Sequence, residues 1–458
     1  MPGSETPPGD TGYENVAVCW SDDPSWTLQH WDALEPSELP STHLVRVDEL
    51  LVPAAARARP PAATWVKTGD GVDGIALYRR RGGAESNITA SGGDETPPSG
   101  AAVMSEVTRR SQFAPNAVFC TQGMRAAATE KEKFGPFRVA PRYQGLGGAG
   151  PQPVAATHDR SRPTRDRIAA LGDGRRVAVA VIDTGFGQGR YRSRQVEPFV
   201  TPRCLVSADT EDLPDFNLDG TLDAVAGHGT FVAGQIVEAE PQVRIQMIRA
   251  VDRQGAVSDL SLAKAIDALC ELEGGAPDIL NLALGGWTHY NAEPPAVAAR
   301  LRALHRQGTA IVAAAGNLSS DRKFWPAAME EVIGVGAVTR NAGKWVPTDY
   351  SNHGDWIKAA VEADTVVGPF YENFTSTDPA RPDSPGISFD GFAEWEGTSF
   401  LAPQLAAAIA RQMLRDERLS PRAAWERIAG GAGNTRPDRM ANAVVLTREA
   451  LSSVEGVR

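Results

Sequence analysis

Four side chains could do chemistry together. Asp183 closes the apolar run VAVAVID and is followed by Thr184 and Gly185. His228 stands in GHGTFVAGQIVEA, between Gly227 and Gly229. Ser399 stands in EGTSFLAPQLAAAIARQMLRD, where an Ala-rich helical pattern opens. Asn317 follows Gly316 at the end of AIVAAAGN. Taken singly, each has an ordinary reading: a turn aspartate, a histidine at a helix start, an N-cap serine, a turn asparagine. Taken together, they suit nucleophilic acyl transfer. A serine hydroxyl is a weak nucleophile at neutral pH and needs an adjacent base. His228 can take that proton and return it to a leaving amine. Asp183 can orient the imidazole and stabilise its charged form. A helix opening at Ser399 sets backbone N–H groups and a positive dipole end beside a developing oxyanion.

The elements around these residues must hold them at one place. From about residue 161 the sequence alternates between strand and helix patterns. VAVAVIDTG, VRIQMIRAVD, DILNLALGG, TAIVAAAGN and EVIGVGAVT are apolar strand runs. In SDLSLAKAIDALCEL, Leu262, Ile266 and Leu269 share a helix face, and Ser258 can cap it. AVAARLRALHRQG is a second helix, closed by Gly308. Pro403 falls early in the third, where it is tolerated. Strands alternating with helices imply an α/β fold with a mainly parallel sheet covered on both faces. Sites in such sheets gather at the carboxyl ends of strands, which is where Asp183 and Asn317 fall.

With Asp, His and Ser in that order and in those contexts, the chain resembles the subtilase family of serine peptidases over roughly residues 175–445. The resemblance implies a subtilisin-like three-layer fold and a serine endopeptidase that needs no cofactor for its chemistry. Asp183, His228 and Ser399 would form the triad, and the Asn317 side-chain amide would donate to the oxyanion. Ala283, Leu284 and Gly285 would form an edge strand that pairs with an extended polypeptide substrate, with Ala314, Ala315 and Gly316 as the opposite wall. The Trp325–Pro326 bond would be cis and shape the first specificity pocket. The loop from Asn317 to Pro326 looks short, so Phe324 would fill part of the pocket floor and disfavour very large side chains. Two rival readings fit less well. The acid-active sedolisin type carries Glu where His228 stands, so GHGT argues against it. A non-catalytic peptide-binding protein on the same scaffold would have lost one of the four residues, and all are present.

Three zones divide the chain: residues 1–92, an accessory domain or prosegment; 93–160, a linker-rich segment; and 161–458, the peptidase domain. The first holds short apolar runs between Pro- and Gly-rich breaks, and reads as a small α+β unit. In the second, FAPNAVFC, from Phe113 to Cys120, reads as an extended segment that docks on the peptidase domain.

A net charge of −11 argues against general affinity for nucleic acid or anionic membranes. No stretch has the apolar length to span a bilayer. The first residues show no basic start followed by an apolar run, which predicts a cytoplasmic location. The scattered Cys19, Cys120, Cys204 and Cys270 read as reduced thiols, Cys270 in a helix core. DFNLDGTLD offers a calcium loop, with Asp215, Asn217, Asp219, Asp223 and the Thr221 carbonyl as ligands. Ala226 stands where such a loop expects glutamate, and an acidic solvated turn reads equally well.

Overall fold

The computed structural model describes residues 16–20, 42–69, 71–80, 114–120, 151–154, 176–201, 211–215, 218, 220, 222–223, 225–251, 255–363, 365–377, 386–433 and 435–452. Its strands are β1 (Val16–Trp20), β2 (Thr42–Pro53), β3 (Trp65–Lys67), β4 (Ile75–Arg80), β5 (Ala114–Cys120), β6 (Gln152–Pro153), β7 (Val177–Asp183), β8 (Val243–Arg249), β9 (Ala256–Ser258), β10 (Ile279–Leu282), β11 (Ala310–Ala314), β12 (Val332–Asn341), β13 (Lys344–Pro347), β14 (Ala359–Glu362), β15 (Val366–Pro369), β16 (Phe374–Ser376), β17 (Ile387–Phe389), β18 (Phe392–Trp395) and β19 (Val444–Leu446). The main helices are α1 (His228–Ala239), α2 (Asp259–Cys270), α3 (Pro295–Arg306), α4 (Thr398–Arg415) and α5 (Pro421–Gly431).

The central sheet runs β19-β14-β12-β11-β10-β7-β8, parallel throughout, with β13 antiparallel on β12. Its strands are buried on both faces, so they read as unbroken apolar runs instead of alternating ones. Along β7, Val179 and Val181 face a core shared with Phe231 and Ile236 of α1 and Leu405 and Ile409 of α4. Ala180 and Ile182 face the other way, toward Leu262 and Ile266 of α2 and Leu301 of α3. The result is three layers, as expected for the α/β class.

The caps read from sequence are present. The Ser258 Oγ accepts the Ser261 N–H at 3.1 Å and starts α2. Gly308 follows α3 with φ +102°, a conformation that costs any other residue more. Cys270, at the last turn of α2, is a free thiol, and it is only partly buried where a core position was expected. No helix among the described residues is long and apolar enough to cross a membrane.

One buried charge ties α2 to α3. Asp259 accepts the Val297 N–H at 2.8 Å and the Ala296 N–H at 3.2 Å, so it satisfies orphan donors at the start of α3. Burial pushes its carboxyl up to about 7, against those two hydrogen bonds. The folded state therefore holds a proton between about pH 4 and 7 that the unfolded chain has released. Stability from this group is full below about pH 4 and is lost as pH rises through 7. Asp259→Asn removes that slope. Denaturation at pH 5 and 8 is expected to show the gap between wild type and variant shrinking by ~2–4 kcal/mol as pH rises. Parallel pH dependences would contradict it.

The described residues of the N-terminal unit are strands joined by turns, with no helix among them. It forms a sheet β3-β4-β2-β5, with β1 on β2. β5 then pairs antiparallel with β9, Val118 opposite Ser258 and Cys120 opposite Ala256. Leu51, Ile75, Leu77 and Phe119 pack into the same core as α2 and α3. The end of β5, Val118–Cys120, thus lies against the strand that leads into α2, while Phe113 lies outside the described residues.

Candidate active site

Each candidate side chain sits where an element begins or ends. Asp183 is the last residue of β7, and His228 is the first of α1. Their contact is direct and dry. The His228 Nδ1 lies 2.8 and 3.0 Å from the two Asp183 carboxylate oxygens, and both side chains are fully buried. The Thr184 N–H donates to Asp183 Oδ1 at 2.7 Å, which fixes the carboxylate from behind. The His228 Nε2 has no hydrogen-bond partner among the described residues.

Two glycines allow the approach. A Cβ on Gly229 would lie 2.2 Å from the Gly185 carbonyl oxygen, so only glycine lets the two turns close. Gly227 takes φ +80° just before the helix. The first N–H groups of α1 find partners on distant segments. Gly227 N–H donates to Asp212 Oδ2 at 2.9 Å, and Gly229 N–H to Thr184 Oγ1 at 3.0 Å. Thr184 Oγ1–H donates in turn to Asp212 Oδ2 at 2.7 Å. The Thr230 hydroxyl accepts Gly187 N–H at 2.8 Å. Asp212 was not singled out in the sequence. It lies in an acidic, Pro-containing loop that reads as solvated surface, and its burial is visible only in three dimensions.

Ser399 is the second residue of α4 and is buried. Its hydroxyl donates to the Ala283 carbonyl at 3.3 Å. Its neighbours touch the rest of the site. The Phe400 ring lies 5.3 Å from the His228 ring, and Trp395 meets that imidazole edge-on at 5.6 Å. Thr398 holds Asn317: the Asn317 Oδ1 accepts the Thr398 N–H at 2.9 Å and the Thr398 hydroxyl at 2.8 Å. The Thr398 Oγ1 also accepts Gly316 N–H at 3.1 Å. With Oδ1 engaged twice, the Asn317 amide nitrogen is the group left to donate. In EGTSFLAPQ, Thr398 carries no signal of its own.

Ala283, Leu284 and Gly285 continue from β10, and Ala315 and Gly316 continue from β11. Between them sits Phe324. A Cβ on Gly285 would meet its ring at 2.2 Å, and one on Gly316 would meet it at 3.0 Å. Trp287 braces the ring edge-on at 5.9 Å. The Trp325–Pro326 bond is cis. Trp325 pairs with Gly286 through two backbone hydrogen bonds of 2.8 and 2.9 Å.

The profile of the subtilase family matches residues 174–445. The chain belongs to the subtilase family. The family is one of serine endopeptidases. A thermophilic serine proteinase of Bacillus sp. (strain AK1) is 30% identical over 215 residues, which cover 46% of this chain and 50% of that protein. An extracellular protease of Xanthomonas campestris pv. campestris is 28% identical over 207 residues, 42% of this chain and 31% of that protein. The chain thus spans half or less of the length of these two relatives. Among solved structures, fervidolysin from Fervidobacterium pennivorans, a keratinolytic enzyme related to subtilisin, superposes with a TM-score of 0.54 at 14% identity. That match covers 90% of this chain and 62% of fervidolysin, and shows the shared fold.

These relatives correct one expectation. The cytoplasmic location is overturned, since a matched relative is named an extracellular protease. A missing leader pattern at the first residues of a sequence is too weak a sign to set against that.

Subtilases need no cofactor for catalysis. Of the suggested calcium loop, Asn217, Asp219 and Thr221 lie outside the described residues. Asp215 accepts the Gly220 N–H at 2.7 Å, and Asp223 N–H donates to the Pro214 carbonyl at 2.8 Å. These bonds close a turn by themselves, and no step of the chemistry below runs through a metal.

Proposed function

We propose that this subtilase hydrolyses peptide bonds through an acyl-enzyme on Ser399. The observation that carries the reading is the buried Asp183–His228 contact, with Ser399 on the adjoining helix start and Asn317, after β11, held to that start by Thr398. His228 Nε2, which has no partner among the described residues, accepts the Ser399 proton as Oγ attacks the scissile carbonyl. Charge builds on the carbonyl oxygen, where the Asn317 amide and the Ser399 backbone N–H donate to it. His228 then passes the proton to the leaving amine, and the C–N bond breaks. Water, deprotonated by His228, attacks the ester; the acid product leaves, and the proton returns to Ser399. Asp183 keeps Nδ1 protonated and steadies the imidazolium.

The substrate is an extended polypeptide laid between 283–285 and 314–316. Main-chain pairing there tolerates many sequences. Selectivity falls to the pocket between the two segments, where the Phe324 ring takes the space of a large side chain. Cleavage is expected after small residues. Phe324→Ala should raise kcat/KM for phenylalanine over alanine at the cleaved position by about 10–100-fold. Peptide-library profiling of both proteins checks this. An unchanged preference, or efficient cleavage after large aromatics by the wild type, would remove Phe324 from the pocket.

The N-terminal sheet, seated on α2 and α3 through β5 and β9, is proposed as a docked module. Intact mass of the active protein distinguishes a cleaved prosegment from a permanent domain. The reading as a whole is tested with a fluorophosphonate probe. Labelling that disappears in Ser399→Ala supports it. Failure of both the full-length and any processed form to label supports a peptide-binding protein on the same scaffold.

A further inference from the structure

Outside the four catalytic candidates, Asp212 is a buried carboxyl beside the site. We propose that Asp212 is a positioning residue: its carboxylate holds the Asp183 turn and the His228 turn at their working separation. The inference rests on the reading of Asp183, His228 and Ser399 as the triad.

The geometry is specific. One oxygen, Oδ2, accepts from Thr184, which follows Asp183, and from Gly227, which precedes His228. Thr184 then accepts from Gly229, which follows His228. The chain Gly229–Thr184–Asp212–Gly227 thus closes a loop around the imidazole's backbone and ties it to the strand end that carries Asp183. Removing Asp212 would leave the Thr184 hydroxyl and the Gly227 N–H buried without their acceptor, at the start of α1. Either could be satisfied only by moving one turn relative to the other. Displacement of about 1 Å in a catalytic pair can cost on the order of 10²-fold in rate.

The charge matters as well as the shape. Hydrogen bonds to an ionised carboxylate are roughly twice as strong as neutral ones, so protonating Asp212 weakens both ties together. Burial pushes its carboxyl up to about 7, opposed by the Thr184 and Gly227 bonds and by the Arg249 guanidinium. The groups that face it are few. Arg249 comes from β8 and also donates to the Glu211 carbonyl at 3.2 Å. The Tyr371 hydroxyl, from the segment after β15, lies beside the carboxyl, short of a well-formed hydrogen bond. Burial beside Asp212 and Asp223 holds that phenol well above its usual range, so it stays neutral. Asp183 and His228 are reached through Thr184. Losing the Asp212 charge below neutral pH would then add a second ionisation to the acid limb of activity, beside that of the base.

Asp212→Asn keeps the shape and removes the charge. It is expected to lower kcat about tenfold or more at pH 8 with KM within about twofold. The acid limb of kcat/KM should also flatten from two ionisations to one. Thr184→Val is expected to lose kcat similarly, and Thr184→Ser, which keeps the hydroxyl, to lose less. The double variant Asp212→Asn/Thr184→Val should be no worse than the poorer single one, because both act through one bond. Wild-type kcat and a wild-type acid limb in both Asp212→Asn and Thr184→Val, even with lowered melting temperatures, would overturn the proposal. So would losses confined to KM, or losses that multiply in the double variant. Ser399→Ala, measured alongside, separates the two readings: full activity in that protein would bring down the triad itself.

Discussion

Alanine at Ser399 is expected to lower kcat by about 10⁶-fold, the size known for loss of the nucleophile from the subtilisin triad. The effect is so large because no other hydroxyl can take the place of Oγ. In the variant a methyl group stands where the attacking atom belongs, beside the Ala283 carbonyl that accepted the Ser399 hydroxyl. KM should change little, because substrate is held by backbone pairing remote from Oγ. His228→Ala should fall about as far. The double variant should be no worse than either alone, since the base has nothing to activate once the hydroxyl is gone. Single-turnover kinetics on a peptide ester would show no acyl-enzyme burst in any of the three. Multiplying losses in the double variant would mean that His228 and Ser399 act separately, against the mechanism proposed.

Asn317→Ala should lower kcat by about 10²–10³-fold at nearly constant KM, the range known for the oxyanion asparagine of subtilisin. The physical reason is pre-organisation. Oδ1 is already engaged by the Thr398 N–H and hydroxyl, so the amide nitrogen needs no reorientation when charge develops. Its bond to the substrate strengthens only as the carbonyl becomes an oxyanion, so its loss falls on kcat. Asn317→Asp is a sharper probe: it keeps the shape, removes the donor and sets a negative charge near the oxyanion. It should be at least as damaging as alanine. Thr398→Val should cost less, about tenfold, because it loosens the amide without removing it. A rise in KM at constant kcat in Asn317→Ala would assign Asn317 to substrate binding instead.

What could be read without coordinates follows from where the chemistry sits. Asp183 and Asn317 lie at the ends of doubly buried strands, which stand out as apolar runs closed by glycine. His228 and Ser399 lie at helix starts, which announce themselves through Gly and an Ala-rich pattern. The same logic marks the stretch near Phe113 as extended. It could not identify β9 as its partner, because β9 is three residues long and has no pattern of its own.

By itself, then, the amino-acid sequence determined the α/β class and the order of the elements, and its resemblance to the subtilases pointed to the four residues proposed for the chemistry. Periodicity and turn residues are local properties, and a strand end remains a strand end wherever it packs. Only the tertiary structure decided what holds those residues in place. Asp212 reaches Thr184 across 28 positions, and Thr398 reaches Asn317 across 81. No period links residues so far apart. Asp212 lies in a loop rich in acidic residues and proline, which reads as solvated. Its role depends on burial, and burial is set by the whole chain: β7, α1 and the Tyr371 segment must close around the carboxyl before its charge can act on the pair beside it.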